Sequence, residues 1–223
     1  MRKLTALEFF QRENIQCLPV DPMMIIREEK IQVLEYEKFS KIIQEPLQSI
    51  ISEYGNDGFS TIINGKYTII YNPNHTMGRT NWTLMHELSH IMLGHPEECG
   101  GIACRSSHRD KYDLQADSFT ADVLAPLPIL KLCEVDTAQK IKSITDISLQ
   151  AAKIRLWELQ NAHIKQEELD IYKKHFEFYF DWECYLADIA FDEDAQYMIK
   201  RYKARDTWHH SNHSRNQIHR RRH

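Results

Sequence analysis

The chain has 223 residues, of which 42% are hydrophobic and 27% charged, and its formal net charge is -4. That balance suits a folded globule with one sizeable core. It excludes a global electrostatic case for nucleic acid and a membrane span, because no apolar stretch approaches the ~20 residues a bilayer requires.

The start, MRKLTALEFFQREN, is basic, but charges interrupt its apolar run within the first ten residues, so no secretory signal is expected. The five cysteines (Cys17, Cys99, Cys104, Cys133, Cys184) are odd in number and scattered. Reduced thiols and a cytoplasmic location are the expectation.

Residues 4–14 read as a short helix, after which Pro19 and Pro22 break the chain. Met23 to Arg27 reads as another helix and Ile31 to Leu34 as a strand. Tyr36 to Ser52 has helical spacing of apolar residues, with Pro46 imposing a kink or a division into two pieces. Residues 59–63 and 66–71 flank Asn64-Gly65 and predict a β-hairpin with a type I′ turn. Lys66 to Tyr71 is the expected edge for aligning an extended peptide. Asn81 is the expected N-cap of a helix over Trp82 to Leu93, with Gly94 at its end. Residues 96–112 read as a loop. Tyr112 to Leu124 predicts a helix stopped by Pro126 and Pro128, and Ala138 to Ile144 and Ser148 to Leu159 predict two more. Residues 166–203 form an aromatic-rich, helical segment by pattern, and the chain from Thr207 is polar and basic.

The chemistry concentrates in Thr83-Leu-Met-His86-Glu87-Leu-Ser-His90. Residues four apart share a helix face, so His86 and His90 can present two imidazoles to one zinc ion. Glu87 then stands beside a metal that makes water acidic near neutral pH, in position to act as general base. H-E-x-x-H specifies only three residues, and in a chain with twelve histidines a chance match on a solvated helix face competes with it. Against chance, Trp82, Leu84, Met85, Leu88, Ile91, Met92 and Leu93 give this helix a broad apolar surface. A helix so buried leaves its histidine pair in need of partners.

Asp113 and Asp117 follow, again four apart. One can ligate zinc while the other holds a ligand histidine's free N–H; spacing alone does not choose, and a solvated acidic face is an equal alternative. His95 falls one residue from the place of the third histidine in H-E-x-x-H-x-x-G-x-x-H, so that motif does not apply. Its expected role is as a cation at the helix C-terminus. Cys99, Cys104 and His108 are loosely spaced for a second zinc and read as loop residues.

Together these segments resemble the ImmA/IrrE (DUF955) family of metallopeptidases. That family's pattern is an Arg, a hydrophobic-Thr step and H-E-L-G-H, then an E-x-[EQ]-A-[DN]-x-F-A helix ending in L-L-M-P. Here it reads Arg79-Thr-Asn-Trp-Thr-Leu-Met-His-Glu-Leu-Ser-His90 and Asp113-Leu-Gln-Ala-Asp-Ser-Phe-Thr-Ala-Asp-Val-Leu-Ala-Pro126. The later V-S-x-x-A-x-x-x-R-L segment is similar to Ile147-Ser-Leu-Gln-Ala-Ala-Lys-Ile-Arg-Leu156. The resemblance covers roughly residues 5–160. It implies His86 and His90 as ligands, Glu87 as general base, Asp113 in the place of a third-ligand glutamate and Asp117 as its outer-sphere companion. Ser89 stands for the usual Gly, Ala125 for the usual Met, and Asp113 is one methylene shorter than Glu.

The expected fold is α+β and zincin-like: a small twisted sheet packed on the H-E-x-x-H helix, followed by C-terminal helices. Residues 1–165 are the expected metallopeptidase domain, 166–205 a helical extension and 206–223 a disordered His/Arg-rich tail. The expected cofactor is one Zn2+ per chain. Candidates for oxyanion or substrate contact are His108, Tyr112 and Arg79, the last equally suited to pairing a carboxylate. Family resemblance implies cleavage of a helix-turn-helix repressor, here a separately encoded protein, to derepress mobile-element or stress genes. The alternative is a regulatory binding protein that keeps fold and metal but cleaves little or nothing. The tail's arginines (Arg215, Arg220, Arg221, Arg222) lack aromatic interleaving beyond Trp208, so no direct nucleic-acid binding and no membrane partner are expected.

Overall fold

A computed structural model of the chain describes residues 4–98 and 109–180. The expectations placed on Cys99, Cys104, His108, Cys184, the rest of the extension and the tail lie outside the described residues. The chain divides into two compact units. Among the described residues, one comprises 4–5, 21–98, 109–124 and 146–148; the other comprises 6–20, 125–145 and 149–180.

The first unit is built on a three-stranded mixed sheet. Helix α2 (Pro22–Glu28) starts where the Asp21 side chain accepts the N–H groups of Met23 and Met24, with Pro22 in the first turn. Strand β1 (Gln32–Glu35) leads into α3 (Tyr36–Ile43). Pro46 divides the helical stretch outright: Gln44 takes a left-handed φ of 58° and α4 (Leu47–Tyr54) begins afresh. Strands β2 (Gly58–Ile63) and β3 (Lys66–Tyr71) form the expected hairpin, with Asn64 and Gly65 at φ 52° and 74° as a type I′ turn demands.

The strand order is β1-β3-β2, with β1 parallel and β2 antiparallel to β3. This corrects one expectation. Lys66 to Tyr71 is the middle strand, because Gln32–Glu35 takes the side of β3 that the hairpin leaves free, in register from Gln32↔Thr68 to Glu35↔Tyr71. An outer strand available for pairing is β2, not β3.

Alternation sends Phe59, Ile70 and Leu34 to one face, where they pack with Tyr36, Phe39 and Ile50 from α3 and α4. The Tyr36 hydroxyl donates to the Gly55 carbonyl at 2.9 Å, which ties α3 to the end of α4. The opposite face carries Gly58, Ser60 and Ile69 and packs on helix α5 (Met77–Met92). Gly58 is required there: a Cβ would lie 2.8 Å from Thr83 Cγ2 and 3.0 Å from the Ile70 carbonyl oxygen.

Helix α5 begins at Met77 rather than Trp82. Its first turn is held by tertiary packing, with a Cβ at Gly78 placed 3.0 Å from the Asp146 carbonyl oxygen, and Asn81 is therefore inside the helix, not at its cap. Gly94 ends it at φ 78°. The expected loop then contains a short helix, α6 (His95–Glu98), and α7 (Arg109–Leu124) also begins earlier than Tyr112.

The second unit is helical: α1 (Ala6–Glu13), α8 (Leu127–Leu132), α9 (Ala138–Thr145), α10 (Leu149–Asn161) and α11 (Gln166–His175). Sequence reading stops at Pro126 and Pro128 and misses α8. Both prolines serve its start, where a missing N–H costs no helical hydrogen bond. Buried Arg155 donates to the Ala125 carbonyl from Nε and Nη2 at 2.9 and 2.8 Å. Phe10 of α1 meets Phe176, just past α11, edge-on at 5.2 Å. No described helix is long and apolar enough to cross a membrane.

Candidate metal centre

The site rises from two matching spacings: His86 and His90 lie one turn apart on α5, and Asp113 and Asp117 one turn apart on α7. These two helices pack against each other, so the pairs meet. The His86 and His90 Nε2 atoms face one another at 3.0 Å, and Asp113 Oδ1 is 3.5 Å from His90 Nε2. One ligand atom from each of the three residues fits within a 4.8 Å span.

Each imidazole is held from behind by its other nitrogen. His86 Nδ1 is 2.8 Å from Asp117 Oδ1. His90 Nδ1 is 3.0 Å from His95 Nδ1, and His95 Nε2 is 3.3 Å from Gln115 Oε1. Both Nε2 atoms are thus turned toward Asp113. Zinc–ligand bonds of roughly 2.0–2.2 Å require donor atoms about 3–3.5 Å apart; the His86–His90 and His90–Asp113 pairs have that spacing, and all three ligand atoms lie within 4.8 Å of one another.

Charge favours a cation here. Burial pushes the His86 imidazole down, but the Asp117 hydrogen bond and the Glu87, Asp117 and Asp113 charges outweigh it and the net shift is upward. Carboxylates that favour an imidazolium also favour a metal ion. Burial pushes the His95 imidazole below the usual histidine range, while the Gln115 hydrogen bond pulls it back.

Glu87 is 7% exposed. Burial raises its carboxyl above the ordinary glutamate range, while His86 and the hydrogen bonds from the Ser60 side chain and backbone pull it back. Ser60, which hydrogen-bonds Glu87 and lines the cleft, is a site residue that sequence reading passes over. The available signal is a hydroxyl on the inward face of a strand whose partner, Ile69, is fully buried.

Among the described residues, a cleft of about 280 Å³ is lined by the 53–60 segment, Trp82, Thr83, His86, Glu87, His90, Asp113 and Asp117. Two of the three candidates for oxyanion contact are engaged elsewhere. Arg79 donates to Asp57 from Nε and Nη2 at 2.7 and 3.1 Å. The Tyr112 hydroxyl donates to Glu98 Oε2 at 2.6 Å. His108 lies outside the described residues. His95 is also more than a helix cap: it is buried in α6 against His90.

Two of the three departures from the family pattern, Ser89 and Asp113, have local explanations. Ser89 fits the tight α5–α7 contact by donating to the Met85 carbonyl at 2.6 Å, with its Oγ 3.0 Å from Thr120 Oγ1. Asp113, although shorter than Glu, already reaches His90 Nε2.

Comparison with curated proteins gives no match, and comparison with solved structures gives none. The family model of the IrrE N-terminal-like domain, Peptidase M78, matches residues 41–156, more than half of the chain. That span contains the two histidines, Glu87, the aspartate pair and the cleft, and the chain belongs to this IrrE-like metallopeptidase family.

Proposed function

We propose that the chain is a zinc endopeptidase that cleaves a separately encoded helix-turn-helix repressor in the cytoplasm and so releases the genes it silences. The observation that carries the enzymatic part is the convergence of His86 Nε2, His90 Nε2 and Asp113 beside buried Glu87 at the wall of an open cleft. The repressor is supported by the family resemblance, and the net charge of -4 gives no reason to place DNA directly on this chain.

His86, His90 and Asp113 would hold the zinc ion, which when bound would supply Lewis acidity for the substrate carbonyl and for water. Glu87 takes the proton of the attacking water as the C–O bond forms. It then delivers that proton to the leaving nitrogen as the C–N bond breaks, and is regenerated as a carboxylate. Its upward shift by burial suits both halves of this cycle. Ser60 fixes the carboxylate from the strand side. A substrate segment added to the outer edge of β2 would lie along residues 58–60, which line the same cleft.

The test is incubation of the purified chain with the product of its neighbouring regulator gene, with and without a zinc chelator. Chelator-sensitive appearance of two defined fragments supports the reading. An intact regulator under both conditions, for every regulator encoded nearby, would remove the substrate assignment.

A further inference from the structure

We infer that His95 and Gln115 form a proton-ordering relay that sets His90 as a metal ligand. This rests on the metallopeptidase reading, but it concerns residues that reading does not use.

The relay follows from the ring atoms. A metal ion can take the His90 Nε2 lone pair only if that ring carries its proton on Nδ1. His90 Nδ1 lies 3.0 Å from His95 Nδ1, so the Nδ1–H of His90 donates and His95 Nδ1 must accept. His95 then carries its own proton on Nε2, and that nitrogen lies 3.3 Å from Gln115 Oε1, which can only accept. In this arrangement both donors, His90 Nδ1–H and His95 Nε2–H, meet an acceptor. Reversing it would place a proton on His90 Nε2, where it would block the metal. His95 is 2% exposed and lies against the Tyr112 ring at 4.5 Å between centroids. Its ring plane is therefore held, and bulk water does not substitute for it.

The same geometry rules His95 out as a third ligand. It stands behind His90, on the opposite ring edge from His86 Nε2, and the ligand set within 4.8 Å contains His86, His90 and Asp113. His86 is oriented by a carboxylate and His90 by a neutral imidazole. The two ligands therefore differ in basicity, and His95 is a positioning residue that acts through His90.

The experiment is competitive zinc titration of the full-length apo protein, with His86→Asn supplying the background from tail histidines. His95→Phe keeps the ring's bulk but removes the acceptor; its affinity should fall about 10- to 100-fold, as for other outer-sphere partners of metal-bound histidines. His95→Asn can place an amide oxygen where Nδ1 stood and should recover most of that loss. Circular dichroism of the apo variants separates unfolding from loss of metal. Should His95→Phe fail to fold, 15N shifts of the wild-type imidazoles decide. Zinc-loaded protein should show His95 protonated on Nε2 and His90 on Nδ1. Wild-type affinity in a folded His95→Phe, or a His95 protonated on Nδ1, would overturn the relay and leave the metallopeptidase reading standing. Absence of zinc binding above background in the wild type would overturn both.

Discussion

Replacing the two α7 aspartates one at a time separates a ligand from an orienting carboxylate. Asp117 Oδ1 touches His86 Nδ1 at 2.8 Å, and its side chain is 52% exposed. In Asp117→Asn the amide oxygen can still accept the Nδ1–H, and water can supplement it. The loss of zinc affinity should lie near the lower end of the usual outer-sphere range, about 10-fold. Asp113 Oδ1 instead lies 3.5 Å from His90 Nε2, on the side where the ion would sit. Asp113→Asn removes one negative charge and one direct bond, so its loss should exceed the ~100-fold that bounds outer-sphere changes. Asp113→Glu, which restores the family residue, should bind within about 10-fold of wild type. Zinc affinity is read by chelator competition at one pH, with the apo-protein melting temperature as a control for fold. A larger loss at Asp117 than at Asp113, with both variants folded, would refute the assignment of ligands.

Two further variants probe the walls of the site. Ser60→Ala removes a hydrogen bond that favours the Glu87 carboxylate, so the Glu87 pKa rises further. Glu87 must be deprotonated to act, so activity is lost as pH falls through that pKa. The acid limb of kcat/KM should therefore move to higher pH in Ser60→Ala, with zinc content unchanged; an unmoved limb would count against the contact. Gly58→Ala forces a Cβ to within 2.8 Å of Thr83 Cγ2 and 3.0 Å of the Ile70 carbonyl oxygen. Overpacking of this kind costs about 1–3 kcal/mol, measured by urea unfolding, and an unchanged midpoint would show that β2 and α5 are not packed so closely.

Much of the site was legible because it is written in local periodicity. His86, Glu87 and His90 lie within one helical turn and a half, and Asp113 and Asp117 repeat the same spacing. The hairpin was legible for a similar reason, since Asn64-Gly65 carries its turn chemistry in two residues. What failed to show depended on tertiary contact. The start of α5 at Met77 is set by packing of Gly78 against residues 146–148. The place of β3 in the middle of the sheet is set by β1, which is distant in sequence and only four residues long. Helix α8 was hidden because Pro128 reads as a breaker although it occupies a first turn. The contact of His95 with His90 was hidden because α6 turns back on α5 after Gly94.

The central claim is that Glu87 performs proton transfer at a metal held by its neighbours. Glu87→Gln keeps the side chain's size and the Ser60 contact but cannot accept a proton. The decisive measurement is single-turnover cleavage of a cognate repressor by zinc-loaded wild type and Glu87→Gln at matched metal content. The variant should keep wild-type zinc binding and melting temperature, with cleavage reduced by at least about 100-fold, the lower range for general base catalysis. Equal cleavage by both proteins, or tight repressor binding with no cleavage by either, would contradict the central claim.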